Sequence, residues 1–247
     1  MRIMHEATLH SSNCFLTLTY DETWLPHRNQ LQKRHLQRFI RRLRRAGFAV
    51  RYYAVGEYGE KTGRAHYHVC LFGENFAEDR IELRKTRDGH TLYTSPTLSE
   101  LWPYGNHSIG ELERASAAYV AAYVQKKKFG DEADWHYIRL DKDGYYSKER
   151  EFALMSLKPG IGAGWLKKWH EDVYKDDAVP VKGRMLKPPK YYDQLLDKID
   201  PGALMVVKQK RREAAEEFAE ANTLDRLAIR DRIMGSAEDL FRREAEI

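Results

Sequence analysis

Residues 48–72, FAVRYYAVGEYGEKTGRAHYHVCLF, contain the pattern that decides the fold. Within this stretch, residues 48–57 and 65–72 are two runs rich in valine, aromatic and other apolar side chains. The segment between them, residues 58–64, carries two glycines. Two such runs around a glycine-containing turn predict an antiparallel β-hairpin.

The sequence upstream of the hairpin predicts a strand and then a helix. Residues 14–20, CFLTLTY, have the composition of a strand. A helix is expected over 30–46, where Asn29 can cap the start and Gly47 the end. Apolar residues recur in this helix at the spacing that gives one buried face, namely Leu36, Phe39, Ile40 and Leu43.

Downstream of the hairpin, the sequence is expected to be irregular over 73–104, followed by a short strand at 106–112. An alanine-rich helix is predicted at 113–128, a further hairpin within 135–155, and a helix at 165–174. Strands with helices between and after them predict an α+β fold, in which a mainly antiparallel sheet carries helices on one face.

The domain organisation is predicted from composition. We expect a first domain at 1–178, a proline-containing linker at 179–202 with Pro180, Pro188 and Pro189, and a charged helical tail at 203–247. We find no internal repeat.

The composition excludes several classes of protein. Among 247 residues, 42 are Lys or Arg and 37 are Asp or Glu, and no apolar stretch approaches the ~20 residues of a membrane-spanning helix. The 5 Trp, 15 Tyr and 9 Phe can build a core, which excludes a disordered chain. Two cysteines, Cys14 and Cys70, are too few for a disulfide framework and favour a reducing compartment. Residues 1–13 lack an apolar segment, so we expect no signal peptide.

Positive charge is concentrated in the first half of the chain. Residues 1–130 hold 20 Lys+Arg and 13 Asp+Glu, a net charge of +7, whereas residues 131–247 have a net charge of −2. No acidic residue occurs from Thr23 to Gly56. Like charges on one helix repel each other, and a polyanion would relieve that repulsion. The helix at 30–46 is therefore predicted to bind nucleic acid through Arg34, Arg38, Arg41, Arg42 and Arg45.

Two histidines in the second strand of the hairpin are candidate metal ligands. His66 and His68 are two residues apart, so their side chains point to the same face of a strand. Glu57, at the end of the partner strand, can lie beside them, and Glu60 in the turn is the alternative carboxylate. Two histidines and one carboxylate form an open site for Mg²⁺ or Mn²⁺. A histidine pair alone is weak evidence, because such pairs also occur on ordinary surfaces.

Two tyrosines on the alanine-rich helix are candidate nucleophiles. Tyr119 and Tyr123 are four residues apart and therefore share one helix face. Aromatic residues at this spacing are usually core residues, but Val120 and Val124 offer a separate apolar stripe. The cations Lys126 and Lys127 follow Tyr123 and could favour its phenolate form.

These features together resemble the HUH endonucleases, and among them the rolling-circle replication initiators of microviruses of the gokushovirus type. Three segments carry the resemblance, in the order known for the family: FLTLTY at 15–20, GRAHYHVCLFG at 63–73 and YVAAYVQKK at 119–127. The segments LWPYG at 101–105 and LKPGIGAGW at 157–165 are also similar. The resemblance covers roughly residues 12–175, and the tail is similar only loosely.

The resemblance implies an RRM-like domain in which His66, His68 and Glu57 hold Mg²⁺ or Mn²⁺. Tyr119 and Tyr123 would cut origin DNA through a 5′-phosphotyrosine intermediate, assisted by Lys126 or Lys127. The implied partners are single-stranded origin DNA and a host helicase and polymerase, in the cytoplasm of a bacterial host. No membrane partner or small-molecule cofactor is expected, and the spacing of Gly56, Gly59 and Lys61 does not form a P-loop.

Two other functions remain open at this stage. One is an HUH relaxase or transposase, although transposases of this kind usually carry a single tyrosine. The other is a non-catalytic nucleic-acid-binding protein on an RRM-like fold, which has little use for a metal-binding pair of histidines.

Overall fold

The computed structural model describes residues 1–59, 62–86, 88–122, 135–217, 219 and 223–245, with side chains up to residue 236. It divides into two compact units, Met1–Lys168 and Trp169–Ile247. No helix among these residues is long and apolar enough to cross a membrane.

A seven-stranded antiparallel sheet forms the centre of the first unit. Its strands are β1 (Asn13–Thr19), β2 (Arg51–Tyr58), β3 (Ala65–Phe72), β4 (Ile81–Lys85), β5 (Thr91–Thr94), β6 (His107–Gly110) and β9 (Phe152–Met155). Their order across the sheet is β4-β5-β6-β1-β3-β2-β9. A separate two-stranded hairpin pairs β7 (Ile138–Asp141) with β8 (Gly144–Ser147). The predicted hairpin at 48–72 is the β2–β3 pair, which lies between β1 and β9.

Helices pack on both faces of this sheet. The helices of the first unit are α1 (Arg2–Ala7), α2 (Lys33–Arg45), α3 (Pro96–Leu101) and α4 (Arg114–Ala122), and α5 (Ala163–Lys175) continues into the second unit. Helices α2 and α3 join the core on one face, and α1 and α4 join the core on the other. The α+β class with a central antiparallel sheet is confirmed, but the expectation of helices on one face only is wrong.

Alternation along β3 assigns each of its side chains to one of the two cores. Tyr67, Val69 and Leu71 pack with α2 and α3, whereas Cys70 and Phe72 pack with α1 and α4. His66 and His68 therefore share the α1/α4 face. We call this face the histidine face and the other the α2 face.

Tyr67, between the two histidines, connects β3 to the start of α2. Its buried hydroxyl accepts a hydrogen bond from the Gln32 amide at 2.9 Å and lies 2.7 Å from the Tyr20 hydroxyl. Tyr20 in turn lies 2.8 Å from Nδ1 of His35. The network satisfies buried polar groups that would otherwise destabilise the fold. Gln32 is the N-cap residue of α2, without a side-chain cap, so the predicted cap at Asn29 is wrong.

The region 73–104 is more regular than predicted, since it contains β4, β5 and α3. Ser95 caps α3 by accepting a hydrogen bond from the Leu98 amide, and Pro96 occupies the first turn. This serine–proline start is a helix signal that the sequence analysis assigned to a turn.

The second unit contains a hairpin and further helices. The hairpin pairs β10 (Val179–Val181) with β11 (Arg184–Leu186), and the helices after it are α6 (Lys190–Ile199), α7 (Pro201–Glu217) and α8 (Leu224–Ala245). The helical C-terminal region is thus confirmed. Residues 179–202, predicted as a linker, have regular structure. The guanidinium of Arg211 pairs with both Asp177 and Asp193, at 2.6–2.7 Å for the shortest contacts.

Candidate functional site

Three predicted metal ligands converge on the histidine face. Glu57 of β2 is the cross-strand partner of His66, which places the carboxylate opposite the histidine pair. Oε1 of Glu57 lies 2.7 Å from Nε2 of His66 and 3.0 Å from Nε2 of His68. One potential ligand atom from each residue lies within 4.8 Å of the others. This spacing suits a single divalent cation shared by two imidazoles and a carboxylate.

The second nitrogen of each imidazole is also bonded. Nδ1 of His66 donates to the Arg64 carbonyl at 3.1 Å, and Nδ1 of His68 lies 3.1 Å from Oγ1 of Thr17. Partners of this kind fix the ring orientation and tautomer of metal-binding histidines. In both rings they leave Nε2 facing the carboxylate, which is the arrangement that a metal ligand requires.

Burial gives a test of whether the three residues fit a metal ion. The Glu57 side chain is 1% exposed, and its Oε2 atom is buried without a hydrogen-bond partner. An unsatisfied carboxylate oxygen in the protein interior is costly unless a cation or a donor completes it. The donor set and the orphan oxygen both fit a divalent cation.

The histidines keep Glu57 ionised despite its burial. Burial raises the pKa of the Glu57 carboxyl, but the hydrogen bonds from His66 and His68 outweigh that effect and lower the pKa to about 2. For His66, burial lowers the pKa, and the bonds to Glu57 and to the Arg64 carbonyl raise it above its ordinary value. The carboxylate is therefore anionic at neutral pH, as a metal ligand must be.

Helix α4 brings a tyrosine onto this cluster. Ala117 and Val120 are buried against the histidine face, so the helix is fixed over the sheet. Tyr119, between them, is 45% exposed. Its hydroxyl donates to Oε1 of Glu57 at 3.1 Å, and its ring meets that of His68 edge-on with centroids 5.3 Å apart. Val120 forms the buried stripe that the sequence analysis considered, and Tyr119 lies outside it.

Several predicted site residues lie outside the described residues. They are Glu60, Tyr123, Lys126 and Lys127. The catalytic roles of the last three therefore stay predictions, as does the role of Glu60 as an alternative ligand.

The predicted nucleic-acid-binding arginines lie on α2, in the layer on the opposite side of the sheet. Arg34, Arg38, Arg41 and Arg45 are exposed. Arg42 is half-buried: its Nε donates to the Leu101 carbonyl at 2.7 Å, and its guanidinium lies 5.1 Å from the Tyr104 ring centre. The structure thus does not bring these arginines together with the histidine face, and Arg42 has structural contacts that its four neighbours do not share.

The sequence analysis missed Thr17 and Phe15 as site residues. Phe15 stacks on His68 with ring centroids 5.2 Å apart, and Thr17 bonds to the same histidine. Both belong to the strand FLTLTY, where the alternation of buried and half-buried residues places them on the histidine face. That alternation was the available signal.

Two minor candidates have structural roles. His107 is buried on the α2 face, where its Nε2 accepts from the Ser95 amide at 3.1 Å. In the glycine loop at 160–164, the Gly162 amide donates to the buried Glu6 carboxylate at 2.6 Å. That amide is therefore occupied by an acidic side chain, which confirms the interpretation of the loop as a structural turn.

Comparison with known proteins places this site in a family. The family of the replication-associated protein ORF2 matches residues 13–128, which include β1, β2, β3 and α4. Replication-associated protein VP4 of Bdellovibrio phage phiMH2K is 32% identical over 244 residues, covering 92% of this chain and 73% of that protein. The chain belongs to the ORF2 family of replication-associated proteins.

Other relatives in the ORF2 family are similar over a smaller share of their length. Replication-associated protein ORF2 of Spiroplasma virus 4 is 33% identical, covering 83% of this chain and 64% of that protein. Replication-associated protein ORF4 of Chlamydia phage 1 is 31% identical, covering 78% of this chain and 48% of that protein. No solved structure matches. The predicted relationship to replication proteins of small phages is confirmed.

Proposed function

We propose that this protein is a replication initiator that nicks single-stranded origin DNA of a small phage by tyrosine attack and later rejoins the strand. The observation that carries the proposal is the position of the Tyr119 hydroxyl on the carboxylate shared by His66 and His68. A nucleophile beside a potential metal centre is the arrangement needed to attack a phosphodiester. Membership of a family of replication-associated proteins supports DNA as the substrate.

His66, His68 and Glu57 would hold the metal ion, for which Mg²⁺ or Mn²⁺ is the proposed identity. When bound, the ion supplies positive charge that polarises the phosphate and stabilises charge developing in the transition state. Thr17 and the Arg64 carbonyl would keep the two imidazoles oriented toward it.

The tyrosine carries the covalent chemistry. Attack by the Tyr119 oxygen forms a bond to phosphorus and breaks the bond to the 3′ oxygen. The phenol proton is lost, and the departing oxygen gains a proton to become a free 3′-OH that can prime synthesis. The phosphotyrosine ester conserves the phosphodiester bond, so that a 3′-OH can later attack it and restore the tyrosine without ATP.

The remaining predicted residues have parts in the same proposal. Tyr123 would cut the regenerated origin while the first ester is resolved, and Lys126 or Lys127 would stabilise the phenolate or contact the phosphate. Exposed arginines of α2 would hold a stretch of DNA away from the cut site. Host helicase and polymerase would extend the 3′-OH in the bacterial cytoplasm. We assign these steps to a nuclease domain at 1–178, followed by a linker and a helical tail.

A covalent-adduct assay tests the proposal. The protein is incubated with circular single-stranded DNA of its own replicon and Mn²⁺, and a denaturing gel separates free protein from a protein–DNA adduct. We expect an adduct that disappears with EDTA and with His66→Ala. DNA binding by a folded protein that yields neither adduct nor nick would favour the non-catalytic alternative.

A further inference from the structure

A cleft lies beside the candidate metal site on the histidine face. Its floor includes Phe15 of β1, Leu92 of β5 and Gly110 of β6, and the start of α4 forms one wall. Its volume is about 470 Å³, which is within the range of small-molecule sites. A cleft of this size can accept one nucleoside.

Gly110 keeps the floor of the cleft open. It is the cross-strand partner of Phe15, so a side chain at this position would point to the same face. A Cβ atom placed on Gly110 would approach Cδ2 of Leu92 to 3.3 Å. A branched side chain here would fill the space over Phe15 and Leu92.

Phe15 connects the cleft to the metal-binding cluster. The same ring that lines the cleft stacks on His68, with the two planes inclined by 18°. A nucleotide bound in the cleft would therefore lie next to a phosphate held at Glu57, His66 and His68. Aromatic rings at such positions commonly stack with unpaired bases.

The rim of the cleft is acidic. It includes Glu111 and Glu113, and Nδ1 of His90 lies 3.8 Å from Oε1 of Glu113. Carboxylates repel phosphate but accept hydrogen bonds from the amino groups of bases. The charge therefore favours entry of an uncharged base, with its phosphates directed away from the rim.

We propose that this cleft captures an unpaired base flanking the scissile phosphate and selects a base that carries an exocyclic amino group. The base would lie over Phe15 while its amino group donates to the Glu113 carboxylate. Thymine has no amino group and would be disfavoured. The inference rests on the proposed function, since it assumes that a DNA strand crosses the histidine face.

Binding without cleavage tests the proposal. Fluorescein-labelled dC10 and dT10 are titrated with the full chain in EDTA and followed by fluorescence polarisation. The wild type should bind dC10 at least about fivefold more tightly than dT10, the lower end of the discrimination given by one specific contact. Glu113→Ala should reduce this ratio to near one. Glu100→Ala is the matched control, because it removes an exposed carboxylate from α3 on the other face.

A second variant separates the cleft from general charge effects. Gly110→Val should also abolish the dC10 preference while leaving Mn²⁺ binding and the thermal unfolding transition in place. Equal affinities of the wild type for dC10 and dT10, or a ratio that Glu113→Ala and Glu100→Ala change alike, would overturn the cleft inference alone. Failure of the wild type to bind either strand would overturn it together with the proposed function.

Discussion

The Tyr119 hydroxyl donates a hydrogen bond to Oε1 of Glu57 across 3.1 Å, although the two residues are 62 positions apart in the chain. Glu57 belongs to β2 and Tyr119 to α4. The contact forms because α4 buries Ala117 and Val120 against the histidine face. It joins the candidate nucleophile to the carboxylate that His66 and His68 share.

Replacing a ligand should weaken metal binding. Glu57→Gln removes the negative charge from the cluster, and we expect Mn²⁺ affinity to fall more than tenfold in isothermal titration calorimetry. Tyr119→Phe is the control, because the phenol is not one of the three ligands. Equal Mn²⁺ affinity for Glu57→Gln and the wild type would exclude the proposed centre.

Thr17 should act on the metal through His68. Thr17→Val keeps the shape of the side chain but removes the hydroxyl that bonds Nδ1 of His68. Loss of such a partner typically costs about 10- to 100-fold in metal affinity. Thr17→Ser restores a hydroxyl and should recover most of the affinity. If the valine variant binds Mn²⁺ as the wild type does, Thr17 does not orient the histidine.

Tyr67 should contribute to stability and not to the site. Its hydroxyl bonds to Gln32 and Tyr20 on the α2 face. Tyr67→Phe leaves those buried groups short of a partner, which should lower the free energy of unfolding by about 1–3 kcal/mol in urea denaturation. Mn²⁺ affinity should stay within twofold of the wild type. A large loss of metal binding at unchanged stability would contradict the assignment of Tyr67 to the opposite face.

The exposed arginines of α2 should contribute to DNA affinity. Changing Arg34, Arg38, Arg41 and Arg45 together to Gln removes four positive charges, and binding to single-stranded DNA should weaken. The slope of log affinity against log salt should become shallower, by up to about 0.7 for each phosphate that the variant no longer neutralises.

A control with the same charge change distinguishes a local effect from net charge. The quadruple variant Lys198→Gln, Lys208→Gln, Lys210→Gln and Arg212→Gln removes four exposed cations from α6 and α7. Its affinity should exceed that of the α2 variant. Equal losses in the two variants would mean that α2 is not a specific DNA-binding surface.

The sequence predicted the site better than its surroundings, for a physical reason. A two-residue period fixes which face of β3 carries His66 and His68, and hairpin pairing brings Glu57 opposite them. These are local rules. Hairpin register depends on turn geometry, so the sequence alone could not rank Glu57 against Glu60.

Long-range packing was harder to predict. Nothing in the sequence indicated that α2 and α4 lie on opposite faces of the sheet, because both helices have a buried stripe and exposed polar residues. The edge strands β4 and β5 were missed since most of their residues are exposed or half-buried and lack an apolar pattern. The position of α2 matters most for function, because it separates the arginines from the candidate catalytic cluster.

The most direct test of the central claim is to locate the DNA on the protein after cleavage. The Tyr123→Phe variant is incubated with cognate single-stranded DNA and Mn²⁺, the adduct is digested with nuclease and trypsin, and the peptide from Ala115 to Lys126 is fragmented in a mass spectrometer. The account predicts a phosphonucleotide on Tyr119. Nicking of the DNA by this variant with Tyr119 unmodified would contradict it.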